Sequence, residues 1–254
     1  MCPHKPSPMS APGPQCATPL DVRPPLTMLN QEMARRSPQL ELPLTSGWGG
    51  KRAGAGRKRV APRPLVPHRR RPVHQASYPE HLTWRCLAGL GSLRGAEVFP
   101  AIVAALAAQR ASVAAFRVVH FSVQDNHLHL IVEAADAHAL RAGAQGLGVR
   151  LARAINRALG RRGRVFDDRF HTRALRSPRE VRFALAYVLQ NFKKHQVRVS
   201  TLLDPCSSAM WFDGFREVTG ASLAVRAPVH PPRTWLARVG WRRHGLVSVR
   251  EAPA

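Results

Sequence analysis

The chain has 254 residues, and its 39 Lys and Arg against 15 Asp and Glu give a formal net charge of +24. A chain this basic repels itself until it meets a polyanion, so nucleic acid or an anionic membrane surface is the expected partner. A membrane span is excluded, because the longest apolar run (101–108) is too short and ends at Gln109-Arg110. The N-terminal stretch lacks the apolar core of a secretory signal, which makes the cytoplasm the expected location. Cys2, Cys16, Cys86 and Cys206 are scattered without a C-x-x-C, a spacing that suits neither a disulfide framework nor a zinc knuckle.

Residues 1–75 hold most of the 22 prolines. Within them Lys51, Arg52, Arg57, Lys58 and Arg59 alternate with small residues. Such a segment buries too little apolar surface to offset its ordering entropy, and reads as a disordered basic arm that lies along phosphates. A folded domain is placed at 76–196 and a basic C-terminal extension at 197–254. Along the domain, 81–87 reads as a first strand, and 96–110 as a helix with Pro100 in or before its first turn. The runs 113–123 and 127–133 form a hairpin. A helix over 136–160 carries Leu140, Leu147, Leu151 and Ile155 on one side and an arginine stripe beside them, while Gly143, Gly146 and Gly148 weaken its first half. Residues 169–176 return as a strand. The strongest helix, 177–195, opens with Ser177 as N-cap, Pro178 at its first position and Glu180 closing a capping box. The order β-α-β-β-α-β predicts an α+β, ferredoxin-like fold: a four-stranded antiparallel sheet with two helices on one face. The third helix must then cover the other face. Beyond it, 203–215 reads as irregular and 233–247 as a short helix and turn that extends a nucleic-acid surface through Arg238, Arg242 and Arg243, with Trp235 and Trp241 packing inward.

"HLHLIVE" places His127 and His129 on one face of a strand and sends Leu128 to the other. Two imidazoles side by side can hold a divalent ion, but a third ligand is wanted. On the last helix Val181, Leu185, Val188 and Phe192 define a buried stripe, and Tyr187 and Asn191, four apart, form a row at its edge. A helix over the histidine face lets Asn191 complete a metal site with Tyr187 beside it. Neutral ligands leave the ion's charge nearly uncompensated, as suits holding and polarising a phosphate oxygen. An aligned phosphate makes attack by a phenol plausible. There is no GxxxxGK[ST] loop, so no nucleotide cofactor is expected.

The H-x-H strand, the element order, "GRVFDDRFHTRALRS" and "AYVLQNFKKH" together resemble the HUH single-tyrosine transposases, most closely the REP-associated tyrosine transposases. The likeness covers about residues 78–195. It implies His127, His129 and Asn191 as ligands of Mg²⁺ or Mn²⁺. It also implies Tyr187 as the nucleophile, which cleaves single-stranded DNA through a 5′-phosphotyrosine link and transfers the strand. The family recognises imperfect DNA hairpins, which suits Arg150, Arg153, Arg157 and Arg161 as phosphate contacts, and a homodimer is a candidate assembly. The family commonly has proline after the asparagine, where this chain has Phe192.

Three alternatives stay open. A catalytically silent DNA-hairpin-binding regulatory protein could use the same scaffold. An RNA-binding ferredoxin-like module would want exposed aromatics where this strand has histidines. A zinc site from His120, His127 and His129 would lack support from any nearby cysteine.

Overall fold

A computed structural model describes residues 72–112, 115–195, 201–217 and 226–252, all within one compact unit that spans 59–254. The proposed basic arm falls on residues that lie, up to 71, outside the described ones. The elements run in chain order as β1 (Glu80–Arg85), α1 (Val98–Ser112), β2 (Phe116–Val123), β3 (His127–Ala134), α2 (Ala137–Ala158), β4 (His171–Ala174) and α3 (Pro178–Lys194). The four strands form one antiparallel sheet in the order β2-β3-β1-β4. This is the ferredoxin-like arrangement that the element order predicts. Among the described residues no helix is long and apolar enough to cross a membrane.

Strand alternation divides the side chains between two cores. Leu82 and Trp84 of β1 and Leu128, Leu130 and Val132 of β3 face α1 and α2. Ile131 faces the other way, into a second cluster built on α3. In β2 the register slips between Val118 and His120. This bulge lets Val118 and Phe121 both enter the first core, and it turns His120 and Ser122 to the α3 side, opposite Ile131 and His129.

Gly143, a weak point for a helix read from sequence alone, is required by packing. A Cβ there would lie 2.2 Å from Phe116 Cγ, so α2 can approach β2 only without a side chain at this position. Gly143→Ala is therefore expected to destabilise the fold by about 1–3 kcal/mol despite alanine's better helix propensity. Urea unfolding checks this, and a neutral or stabilising result would mean that the helix can shift away from Phe116.

α3 begins as its sequence predicts. The Ser177 hydroxyl accepts from the Glu180 backbone N–H at 3.2 Å, and Pro178 needs no donor in the first turn. The Glu180 carboxylate, however, accepts from the Arg176 N–H at 2.5 Å rather than from Ser177, so the box closes one residue earlier than expected.

Residues 201–217 and 226–252 pack chiefly onto α3 and the same sheet face, while Cys206 and Val229 join the first core. Phe212, Phe215, Leu236, Trp241, Val247 and Val249 join Val181, Leu185 and Val188 in the second core. A short helix α4 (Trp235–Arg238) and two 3-10 turns (Ser208–Trp211, Gly240–His244) are the regular elements here. Buried Asp204 ties the segment to Arg94 through two hydrogen bonds of 2.6 and 3.0 Å. Buried Glu133 accepts from the Arg233 and Thr234 N–H groups just before α4. Trp241 is buried as expected. Trp235 is half exposed, with the Arg243 guanidinium stacked 4.8 Å over its ring.

Candidate functional site

His127 and His129 project from β3 towards α3, with ring centroids 4.8 Å apart. In the β2-β3-β1-β4 order β1 lies directly beside β3, and antiparallel pairing sets Thr83 opposite His129. His81, two residues earlier in β1, therefore shares the face. Its Nε2 lies 3.1 Å from His129 Nδ1, and the Thr83 hydroxyl lies at the same distance from that nitrogen. A proton on His129 Nδ1 serves both contacts, and leaves the Nε2 lone pair unused. That Nε2 is buried without a hydrogen-bond partner. His127 Nδ1 is held 2.8 Å from Asn126 Oδ1, an arrangement that likewise turns a lone pair onto Nε2. Both rings thus have the second-contact hydrogen bond typical of metal-ligating imidazoles.

α3 supplies the opposing wall. The Tyr187 ring sits edge-on to His129 at 5.2 Å and to His81 at 5.8 Å. Asn191, one turn on, is fully buried, and neither its Oδ1 nor its Nδ2 has a hydrogen-bond partner. A buried amide with both ends unsatisfied costs roughly 1–3 kcal/mol per group unless something fills the gap. The helix is interrupted at Gln190 (φ −120°, ψ 15°), immediately before Asn191. The C-terminal segment holds this break: Gln190 Nε2 donates to Ser248 O at 2.9 Å, and Lys193 Nζ donates to Gln190 Oε1, Val249 O and Glu251 O.

The row Tyr187, Asn191 continues to His195, whose ring centre is 4.9 Å from that of His127. Lys194 Nζ stands 5.1 Å over the Tyr187 ring. Both His195 and Lys194 are exposed, at the mouth of the cluster.

Burial keeps the imidazoles neutral. It pushes His127 and His81 down to about 4, helped at His127 by His195 and Arg85 and at His81 by Arg173 and His171. His129 is pushed to about 2 by burial and by its neighbours His81, His127 and His195. The Tyr187 phenol is raised by burial, an effect that the adjacent Asn191 amide opposes.

The residues read from sequence thus separate into two groups. His127, His129, Tyr187 and Asn191 come together. The arginine stripe lies on α2, across the sheet from them, where Arg150, Arg153 and Arg157 border a groove of about 610 Å³ floored by alanines of α1. Arg161 is not part of that groove, because its guanidinium turns back to the Arg164 carbonyl at 3.1 Å. His120 packs against Phe212 and Ser208, apart from the histidine pair. Among the described residues no group of three or more His, Cys, Asp or Glu side chains is placed to hold a metal ion, which removes the His120 zinc alternative. His81, Thr83, Lys194 and His195 were not legible as site residues. The available signals were the strand order, which sets β1 beside β3, and the i, i+4, i+8 spacing of Tyr187, Asn191 and His195.

No protein-family model matches the chain, and no curated protein does. Among solved structures it is similar to that of a REP-associated tyrosine transposase bound to a REP hairpin. The TM-score is 0.49 and the identity 16%, over 63% of this chain and 93% of the other.

Proposed function

We propose that the protein is a metal-dependent single-stranded DNA endonuclease and strand transferase that works through Tyr187 and acts on hairpin-flanked DNA. One observation carries this reading: the Tyr187 phenol of α3 packs against His129 of β3, with the buried Asn191 amide one turn on, and the Asn191 Oδ1 and His129 Nε2 both lack a hydrogen-bond partner. The donor set fits a divalent ion, since His127 and His129 are neutral and Asn191 offers an unsatisfied oxygen. A Mg²⁺ or Mn²⁺ ion held by His127, His129 and Asn191 would supply polarisation and orientation of the scissile phosphate.

The chain's own residues do the rest. His81 and Thr83 fix the His129 ring, and Asn126 fixes that of His127. Lys194 and His195, exposed beside the phenol, receive the negatively charged strand. The Tyr187 oxygen attacks phosphorus as its proton leaves, the bond from phosphorus to the 3′ oxygen breaks, and that oxygen takes up a proton. The products are a 5′-phosphotyrosine and a free 3′-OH. Attack by another 3′-OH reverses the step, so the energy of the cleaved diester is conserved.

The test is an end-labelled single-stranded hairpin DNA incubated with the protein and Mg²⁺ or Mn²⁺, then run in SDS. An SDS-resistant DNA–protein band that EDTA abolishes is expected. Tight hairpin binding with no band under any metal would overturn the enzyme and leave a DNA-binding regulator on the same scaffold.

A further inference from the structure

Along the outer edge of β2, where the His230 N–H donates to the Val118 carbonyl, the segment 226–232, Arg110 of α1 and the turns around Trp211 and Trp241 enclose a pocket of about 510 Å³. It shares no residue with the histidine–tyrosine cluster. Four guanidiniums line it, those of Arg110, Arg226, Arg238 and Arg242, with Asp213 as the one carboxylate. Asp213 is taken by Arg242 at 2.9 Å, and Arg110 donates to the Ala227 carbonyl. Arg226 and Arg238 are exposed and have no ion pair or side-chain hydrogen bond among the described residues. His230, nine-tenths buried, lines the same pocket, its ring set against the backbone of Val118 and Arg110. A concave surface that gathers like charges focuses its field on a small anion. Guanidiniums match the oxygens of a phosphate in particular.

We infer that this pocket holds a phosphate group of a nucleic-acid strand, clamped by Arg226 and Arg238, at a site separate from the Tyr187 cluster. The inference goes beyond the proposed chemistry and rests on it only in taking nucleic acid as the partner. Each arginine that neutralises one phosphate of a single strand adds about 0.7 to the slope of log affinity against log salt. Arg226 and Arg238 share one phosphate, so losing both is expected to lower that slope by about 0.7, which weakens binding about 5-fold at 0.1 M salt relative to 1 M.

The measurement is fluorescence anisotropy of a labelled oligothymidylate over a salt series. It uses the full chain with Tyr187→Phe, so that no covalent product contributes. The Arg226→Ala/Arg238→Ala pair should show the reduced slope, and Arg226→Lys/Arg238→Lys should keep the original one. An unchanged slope in the alanine pair overturns the inference, whether or not the adduct assay succeeds. Millimolar inorganic phosphate should leave the tryptophan emission of the wild type unchanged. A saturable change that the alanine pair lacks would assign the pocket to a free phosphate compound and overturn the strand as its ligand.

Discussion

Tyr187→Phe is expected to bring covalent adduct formation down to background while the fold and the affinity for hairpin DNA stay close to wild type. The phenylalanine ring keeps the edge contacts with His129 and His81 and remains beneath Lys194, so the packing between α3 and the sheet loses nothing but one oxygen. That oxygen is the proposed nucleophile: the Thr83 hydroxyl is engaged with His129 Nδ1, the imidazoles are assigned to the cation, and the Asn191 amide is no nucleophile. Variants of the metal-holding residues should behave differently. His129→Ala removes a direct ligand and Asn191→Ala another, so both should slow the adduct by weakening metal binding, and raised Mn²⁺ should partly restore it. His81→Ala, which acts only through the His129 ring, should cost about 10–100-fold in metal affinity. A Tyr187→Phe protein that still forms the band would move the nucleophile elsewhere. Equal, metal-insensitive losses at His129 and Asn191 would show that these residues support packing rather than a cation.

Much of the site was legible because two periodicities are independent of tertiary detail. Residues two apart on a strand share a face, and residues four apart on a helix share a row, so His127 with His129 and Tyr187 with Asn191 could be paired before any fold was known. The element order then required α3 to cover the free face of the sheet, and Ile131 packed against Val181 and Leu185 is that prediction realised. What stayed hidden depends on register or on distant chain. His81 enters the site only because β1 pairs with β3 in a particular alignment. The break at Gln190, which aims Asn191, is set by Ser248, Val249 and Glu251 some sixty residues on. Gly143 reads as a helix weakness until Phe116 is seen against it. The arginine stripe of α2 was correctly periodic, and the element order already set α2 on the face opposite α3; what neither showed is the groove that the stripe borders against α1. Arg150, Arg153 and Arg157 can meet DNA only on the face away from Tyr187.

A metal-free preparation should lose stability steeply as the pH falls from 6.5 towards 4. His81, His120 and His127 are lowered from 6.5 to about 4, and His129 to about 2, in each case chiefly by burial. The sign follows from proton counts. In this window the unfolded chain takes up protons that the folded chain refuses, so the stabilising contribution is fully present above 6.5 and fades as pH drops through the folded values. Each refused proton costs about 1.4 kcal/mol per pH unit. Four of them over two units reach the size of a whole domain's stability, about 5–15 kcal/mol. Cooperative acid unfolding well above pH 4 is expected, followed by thermal melting between pH 7.5 and 5. Mn²⁺ should shift the loss to lower pH, because a bound cation competes with protons for His127 and His129. His120→Phe separates the two effects. That ring packs on Phe212, outside the cluster, so its replacement should reduce the pH slope by one proton and leave the metal's protection intact. A melting temperature that does not change between pH 7.5 and 5 would mean that the four rings accept protons in the folded protein. The neutral, metal-ready cluster would then be lost as a premise.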